Sequence, residues 1–173
     1  MIRKRIEEKA KEVLRRFKVE EAYVPVDTIA EKLGLRIQKY DFGEDVSGVL
    51  VIDKGIGTIG INPSESLVRT RFTIAHEIGH YILHGNKNDS LFIDKNFKVH
   101  FRDQSSSTGE IRNEQEANAF AAALLMPEEK VKEQIIFNET DLGSDENAIK
   151  VLADSFGVSE MAMSYRIANL RLI

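Results

Sequence analysis

Residues 76–80 read His-Glu-Ile-Gly-His, an H-E-x-x-H pattern inside the run Phe72-Thr-Ile-Ala-His-Glu-Ile-Gly-His-Tyr-Ile-Leu-His84. In a helix, positions four apart are offset by about 40° and rise about 6 Å, so both imidazoles project from one face. Phe72, Ile74, Ala75, Ile78, Tyr81, Ile82 and Leu83 surround them with apolar side chains, which predicts a buried helix. Two imidazoles and a carboxylate are costly to bury without partners. A metal supplies the partner, and His76 and His80 on neighbouring turns can meet one zinc at about 2.0–2.1 Å each. Glu77, adjacent on the first turn, then takes a proton from the attacking water instead of ligating. Gly79 leaves room for another backbone to approach. With 4 histidines in 173 residues, a fortuitous match to this pattern has a chance on the order of one per cent.

The remaining ligand is constrained by composition. The chain has 0 cysteines, which excludes disulfide frameworks, cysteine zinc knuckles, iron–sulfur clusters and thiol catalysis together. The third protein ligand is therefore a histidine or a carboxylate. His84 lies about 12 Å along the axis from His76, too far for both to reach one ion. The extended pattern with Gly three residues after His80 and His three further on fails, because those positions are Leu83 and Asn86. A second, alanine-rich helix over about 112–125 offers Glu114 and Glu116, and its small side chains permit close helix packing. Glu114 shares a face with Ala117, Asn118, Ala121 and Leu125, whereas Glu116 points about 200° away. That helix is apolar nearly all round, so periodicity leaves the choice between the two open.

The rest of the chain is read around these two helices. Residues 2–17 carry Ile2, Ile6, Ala10, Val13, Leu14 and Phe17 at helical spacing, with a mixed-charge solvated face. Asp27 is the expected N-cap of a short helix that ends before Gly34. Segments 35–40, 48–53 and 58–61 alternate or are β-rich, which predicts a small, mostly antiparallel sheet of about three strands. Ser64 or Ser66 caps the motif helix. Residues 85–110 are polar and weakly periodic, an irregular connection expected to shape a binding cleft. Pro127 opens a helix to about 137, 138–145 form a polar break, and two short helices follow, separated by Phe156-Gly157-Val158 with Ser159 as cap. The expected organisation is a catalytic domain over 1–140 and a helix-turn-helix-like subdomain over 141–173.

Arg71-Phe-Thr-Ile-Ala-His-Glu-Ile-Gly-His80, followed by Glu114-Gln-Glu-Ala-Asn-Ala-Phe-Ala-Ala-Ala-Leu-Leu-Met-Pro127, resembles the ImmA/IrrE family of bacterial and phage-associated metallopeptidases. The loop between them, with Phe101-Arg-Asp103 and Ser105-Ser106, matches as well. The resemblance implies an α+β, minimal thermolysin-like (gluzincin) zinc metallopeptidase, with the H-E-x-x-H helix beside a small sheet and a helical hairpin at the C-terminus. It implies His76, His80 and Glu114 as Zn2+ ligands and Glu77 as general base. It also implies a regulatory protease whose protein substrate is a transcriptional repressor or antitoxin. Arg102, His100, Tyr81 and Tyr165 are unranked candidates for stabilising the oxyanion.

The competing reading is a DNA- or protein-binding transcriptional regulator with a structural or vestigial zinc site. Its weight falls on the hairpin over 152–170, which offers Arg166, and Arg171 just beyond, against Glu160. A DNA reader wants a basic, polar outer face, so nucleic acid stands as a secondary partner, and hairpins of this kind commonly pack on their parent domain. A general base at Glu77 also has no use in a structural site. With 24 Lys+Arg against 28 Asp+Glu, the net charge of −4 excludes a general nucleic-acid coat. The charged start and the lack of an apolar run of about eighteen residues lead to the expectation of a cytoplasmic protein with no membrane partner.

Overall fold

The computed structural model describes residues 2–43, 46–85, 90–95, 108–137, 142 and 147–172. In chain order these form α1 (Ile2–Phe17), α2 (Val26–Lys32), β1 (Arg36–Lys39), β2 (Val46–Asp53), β3 (Ile56–Ile61), α3 (Leu67–Leu83), β4 (Ser90–Lys95), α4 (Thr108–Leu125), α5 (Glu128–Phe137), α6 (Ala148–Phe156) and α7 (Glu160–Leu170). The architecture is α+β with one small mixed sheet. The chain divides into two compact units, residues 25–121 and the discontinuous pair 1–24 with 122–173, so α4 runs through the division.

In the first unit a four-stranded sheet has the order β1-β3-β2-β4. β2 pairs antiparallel with β3 and β4, while β1 joins β3 in parallel. The sequence anticipated three strands and an irregular 85–110, but β4 lies within that connection and adds a fourth. The rest of the connection, 86–89 and 96–107, lies outside the described residues, with His100, Arg102 and the Phe101–Asp103 and Ser105–Ser106 motifs. Because opposed residues of antiparallel strands point to the same side, the register Leu50↔Ile59 and Leu50↔Phe92 lays one row across three strands. Leu50 and Ile59 in that row are fully buried, whereas the next row out has Val51 and Leu91 exposed.

The motif helix α3 begins at Ser66, whose hydroxyl accepts from the Arg69 amide at 3.2 Å, so Ser66 and not Ser64 is the cap. Every residue from Thr73 to His80 is buried, as the apolar flanks predicted. α2 starts two residues earlier than expected. Pro25 is its N-cap, with no side-chain bond, and Asp27 falls in the first turn, where its charge still suits the helix dipole. α4 starts at Thr108, four residues before the expected 112.

The second unit buries Ile6, Ala10, Val13 and Leu14 of α1, Leu124 and Leu125 of α4, Val131 of α5, Leu152 and Phe156 of α6, and Met163 and Ile167 of α7. Gly157 takes φ 62 at the end of α6, the left-handed position that glycine adopts without strain. Ser159 caps α7 by accepting from the Ala162 amide at 3.1 Å. Arg166 is 3% exposed. Its Nε donates to the Met126 carbonyl at 2.8 Å and its Nη atoms grip both carboxylate oxygens of Glu7.

Candidate metal centre

α3 and α4 carry the polar cluster, and both are shaped for close approach. A Cβ at Gly79 would lie 3.2 Å from Ala117 Cα and 3.2 Å from the Ala117 carbonyl oxygen, so a side chain there would push α4 back by a few tenths of an ångström. The closeness brings Glu114, three residues before Ala117, up to the two imidazoles. Glu114 Oε2 stands 3.2 Å from His76 Nε2, and Oε1 stands 3.0 Å from His80 Nε2. The two Nε2 atoms are 3.0 Å apart. These three side chains are the His/Asp/Glu group, among the described residues, whose ligand atoms all fall within 4.8 Å of one another.

The donor set can be tested against an ion. A tetrahedral centre with ligands at about 2.0–2.1 Å has ligand–ligand edges of about 3.3 Å, and the observed separations of 3.0–3.2 Å come within a few tenths of that. Two imidazole nitrogens and one carboxylate therefore fit a small divalent cation, with a fourth direction left for a non-protein ligand. Burial pushes the Glu114 carboxyl up, but hydrogen bonds from His76 and His80 and their charge outweigh it, and the pKa falls to about 2. The carboxylate thus stays ionised, the state a metal ligand needs.

Glu77, on the next position of α3, is 0% exposed and is not in the three-donor group. It packs against β2, where Gly48 faces it. Glu116, the alternative left open by periodicity, is occupied elsewhere: its Oε1 accepts from Arg112 Nε at 2.9 Å, and its Oε2 is 3.9 Å from His84 Nε2. His84 stands outside the three-donor cluster, as its reach along the helix required. Burial and the neighbouring His80 lower its pKa, against Glu116 and the Asn113 backbone, which raise it.

Other residues complete the surroundings and went unassigned in the sequence. Asn118 Oδ1 lies 3.0 Å from His76 Nδ1. An acceptor there keeps a proton on Nδ1, so Nε2 is the nitrogen that gives up its proton to a metal. Its sequence signal is the helix face that Asn118 shares with Glu114. Phe92 stacks on His80 with ring centroids 4.6 Å apart and planes 21° from parallel. Nothing local announces it, because the contact depends on the β2–β4 register. Of the oxyanion candidates, Tyr81 has a ring carbon 3.7 Å from where a Cβ at Gly57 of the sheet would stand, and Tyr165 is exposed on α7. No helix among the described residues is long and apolar enough to cross a membrane.

The chain is 28% identical over 134 residues to the metallopeptidase ImmA of Bacillus subtilis (strain 168), an alignment covering 78% of this chain and 69% of the relative. The peptidase family described as the IrrE N-terminal-like domain matches residues 30–168, which contain the whole three-donor cluster and Glu77. The chain therefore belongs to the ImmA/IrrE family of metallopeptidases.

Proposed function

We propose that the chain is a zinc-dependent endopeptidase in which His76, His80 and Glu114 hold Zn2+ and Glu77 is the general base, acting in the cytoplasm as a regulatory protease on a repressor or antitoxin-like protein. The observation that carries this reading is the convergence of three ligand atoms within 4.8 Å from two helices, with a buried glutamate one residue along from His76. Zinc bound there supplies Lewis acidity, polarising a peptide carbonyl and lowering the pKa of water. Among the chain's own groups, a Glu77 carboxylate oxygen accepts the proton of the attacking water and then delivers it to the leaving amine. Sharing a helix with both histidines, Glu77 keeps its place relative to them. Asn118 holds the His76 ring, and Phe92 backs that of His80, so two imidazoles are oriented before any ion arrives.

The regulatory target is supported by the family resemblance, and the metallopeptidase reading by the name of the relative. The competing DNA-binding reading needs outward cations on the C-terminal hairpin; Arg166 is spent inside its own unit on Glu7 and Met126, which leaves that reading the exposed Arg171 just past α7. A paired experiment tests the proposal: bound zinc is measured, and a candidate repressor is incubated with wild type and with Glu77→Gln. About one zinc per chain, with cleavage lost in the variant, supports the protease; no zinc, or equal cleavage by both proteins, would sink it.

A further inference from the structure

The face of β2 turned toward α3 carries large apolar residues except at one place. Leu50 and Ile52 are buried on it, and Gly48, which shares that face at the two-residue period, has no side chain. A Cβ built at Gly48 would fall 2.2 Å from Thr73 Cγ2 and 3.2 Å from Glu77 Oε1. The volume an ordinary strand residue would fill is already occupied by two α3 side chains one turn apart. One of them is the glutamate beside the metal ligands.

The strand is also fastened at this point. The β2–β4 register shifts between Val46 and Gly48, a bulge that places Ser47 out of step, and bulges re-aim the residues beside them. The Ser47 hydroxyl donates to Glu65 Oε1 at 2.9 Å and accepts from Arg69 Nη2 at 3.0 Å. Arg69 lies in the first turn of α3, so the strand is tied to the helix that bears Glu77 immediately before Gly48.

We infer that Gly48 is a positioning residue for Glu77: the bare α-carbon of β2 is the floor that sets where the carboxylate rests. The inference rests on the reading of Glu77 as general base. It separates from plain packing because the contacts a Cβ at Gly48 would make are separable: Thr73 Cγ2 at 2.2 Å, Glu77 Oε1 at 3.2 Å and the Gly60 carbonyl oxygen at 3.4 Å. Thr73→Ala removes the methyl that a Cβ at position 48 would strike, and also removes a buried hydroxyl that has no hydrogen bond among the described residues. In that background the closest contact left to Gly48→Ala is Glu77 Oε1 at 3.2 Å, the Gly60 carbonyl oxygen at 3.4 Å lying at the edge of ordinary van der Waals distance.

The test compares Thr73→Ala with Gly48→Ala/Thr73→Ala, both zinc-loaded, and with Glu77→Gln. Four quantities are read: melting midpoint, zinc stoichiometry, hydrolysis of a pool of quenched fluorescent peptides, and affinity for acetohydroxamic acid. The last needs no knowledge of the natural substrate, because the hydroxamate's acidic proton is accepted by a carboxylate beside the metal. The double variant is expected to keep the midpoint and zinc content of Thr73→Ala. Its hydrolysis should slow by about a hundredfold, the scale for misplacing a catalytic group by about 1 Å. Acetohydroxamate should bind about tenfold more weakly in the double variant, as in Glu77→Gln, the scale of one charge-assisted hydrogen bond. Unchanged hydrolysis and unchanged inhibitor affinity in the double variant overturn the inference. So does a loss that tracks with lost zinc or a lowered midpoint, since Gly48 is then a packing residue. Wild-type hydrolysis by Glu77→Gln overturns the general-base reading itself, and the inference with it.

Discussion

Arg166 is the residue on which the DNA-binding alternative depends, and its surroundings make a quantitative statement. It is 3% exposed, and its guanidinium donates to the Met126 carbonyl at 2.8 Å and to the Glu7 carboxylate through both Nη atoms. Arg166→Ala leaves a buried carbonyl without its donor and a carboxylate without its counter-charge. Removing one partner of a buried pair costs about 3–5 kcal/mol. The Glu7 side chain keeps 20% of its exposure and can be partly rehydrated, so the lower end applies, about 3 kcal/mol. In a chain of this length each kcal/mol moves the melting midpoint by about 2–4 °C, so a drop of about 6–12 °C is expected. Differential scanning calorimetry reads it directly. Arg166→Met combined with Glu7→Leu should recover much of the loss, because an apolar pair of similar volume replaces the ion pair. A change below about 0.5 kcal/mol for Arg166→Ala, the range of ordinary surface substitutions, would refute the burial argument and return Arg166 to the surface as a DNA contact.

Further outcomes follow from the site. Gly79→Ala puts a methyl 3.2 Å from the Ala117 backbone; it should cost about 1–3 kcal/mol in urea denaturation despite alanine's better helix propensity and weaken zinc binding, whereas a gain in stability would contradict the close helix contact. Asn118→Ala should weaken zinc binding by about 10–100-fold in a chelator competition, with Asn118→Asp restoring it; equal affinities for all three proteins would remove the role of the His76 hydrogen bond. In metal-free protein the Glu114 carboxyl is lowered from 4.5 to about 2. A carboxyl lowered on folding contributes stability that is present above the unfolded value and lost as pH falls through the folded one. Metal-free wild type should therefore lose stability relative to Glu114→Gln as pH drops from 4.5 toward 2; parallel urea midpoints across that window would contradict it.

The features most legible in the sequence are those whose cause is local. The apolar run around His76 and His80 dictates a buried helix, Ser66 supplies its cap, and Gly79 marks the side on which another backbone comes close. Gly157 and Ser159 mark the last hairpin in the same way. What was not legible depends on partners far along the chain. β4 contributes only Leu91, Phe92 and Ile93 as an apolar run, too short to signal a strand, and it exists because β2 offers a free edge. β1 pairs in parallel with β3, although β2 comes between them in the chain, a pairing that no nearby residue encodes. Glu114 could not be separated from Glu116 by periodicity on a helix apolar nearly all round; Arg112, which engages Glu116, separates them. Arg166 looked outward on its helix because its counter-charge, Glu7, lies 159 residues away. The compact unit that joins residues 1–24 to 122–173 likewise has no composition shift to announce it.

The central claim is that one divalent ion is held by two histidines of α3 and one glutamate of α4, with Glu77 beside it and not bound to it. Anomalous diffraction at the zinc edge, from crystals of the zinc-loaded protein, tests this most directly. A single peak about 2.0–2.2 Å from His76 Nε2, His80 Nε2 and a Glu114 carboxylate oxygen, with neither Glu77 oxygen coordinated, is the expected result. A peak ligated by Glu77 or by Glu116 and His84, or no peak between α3 and α4, would contradict it.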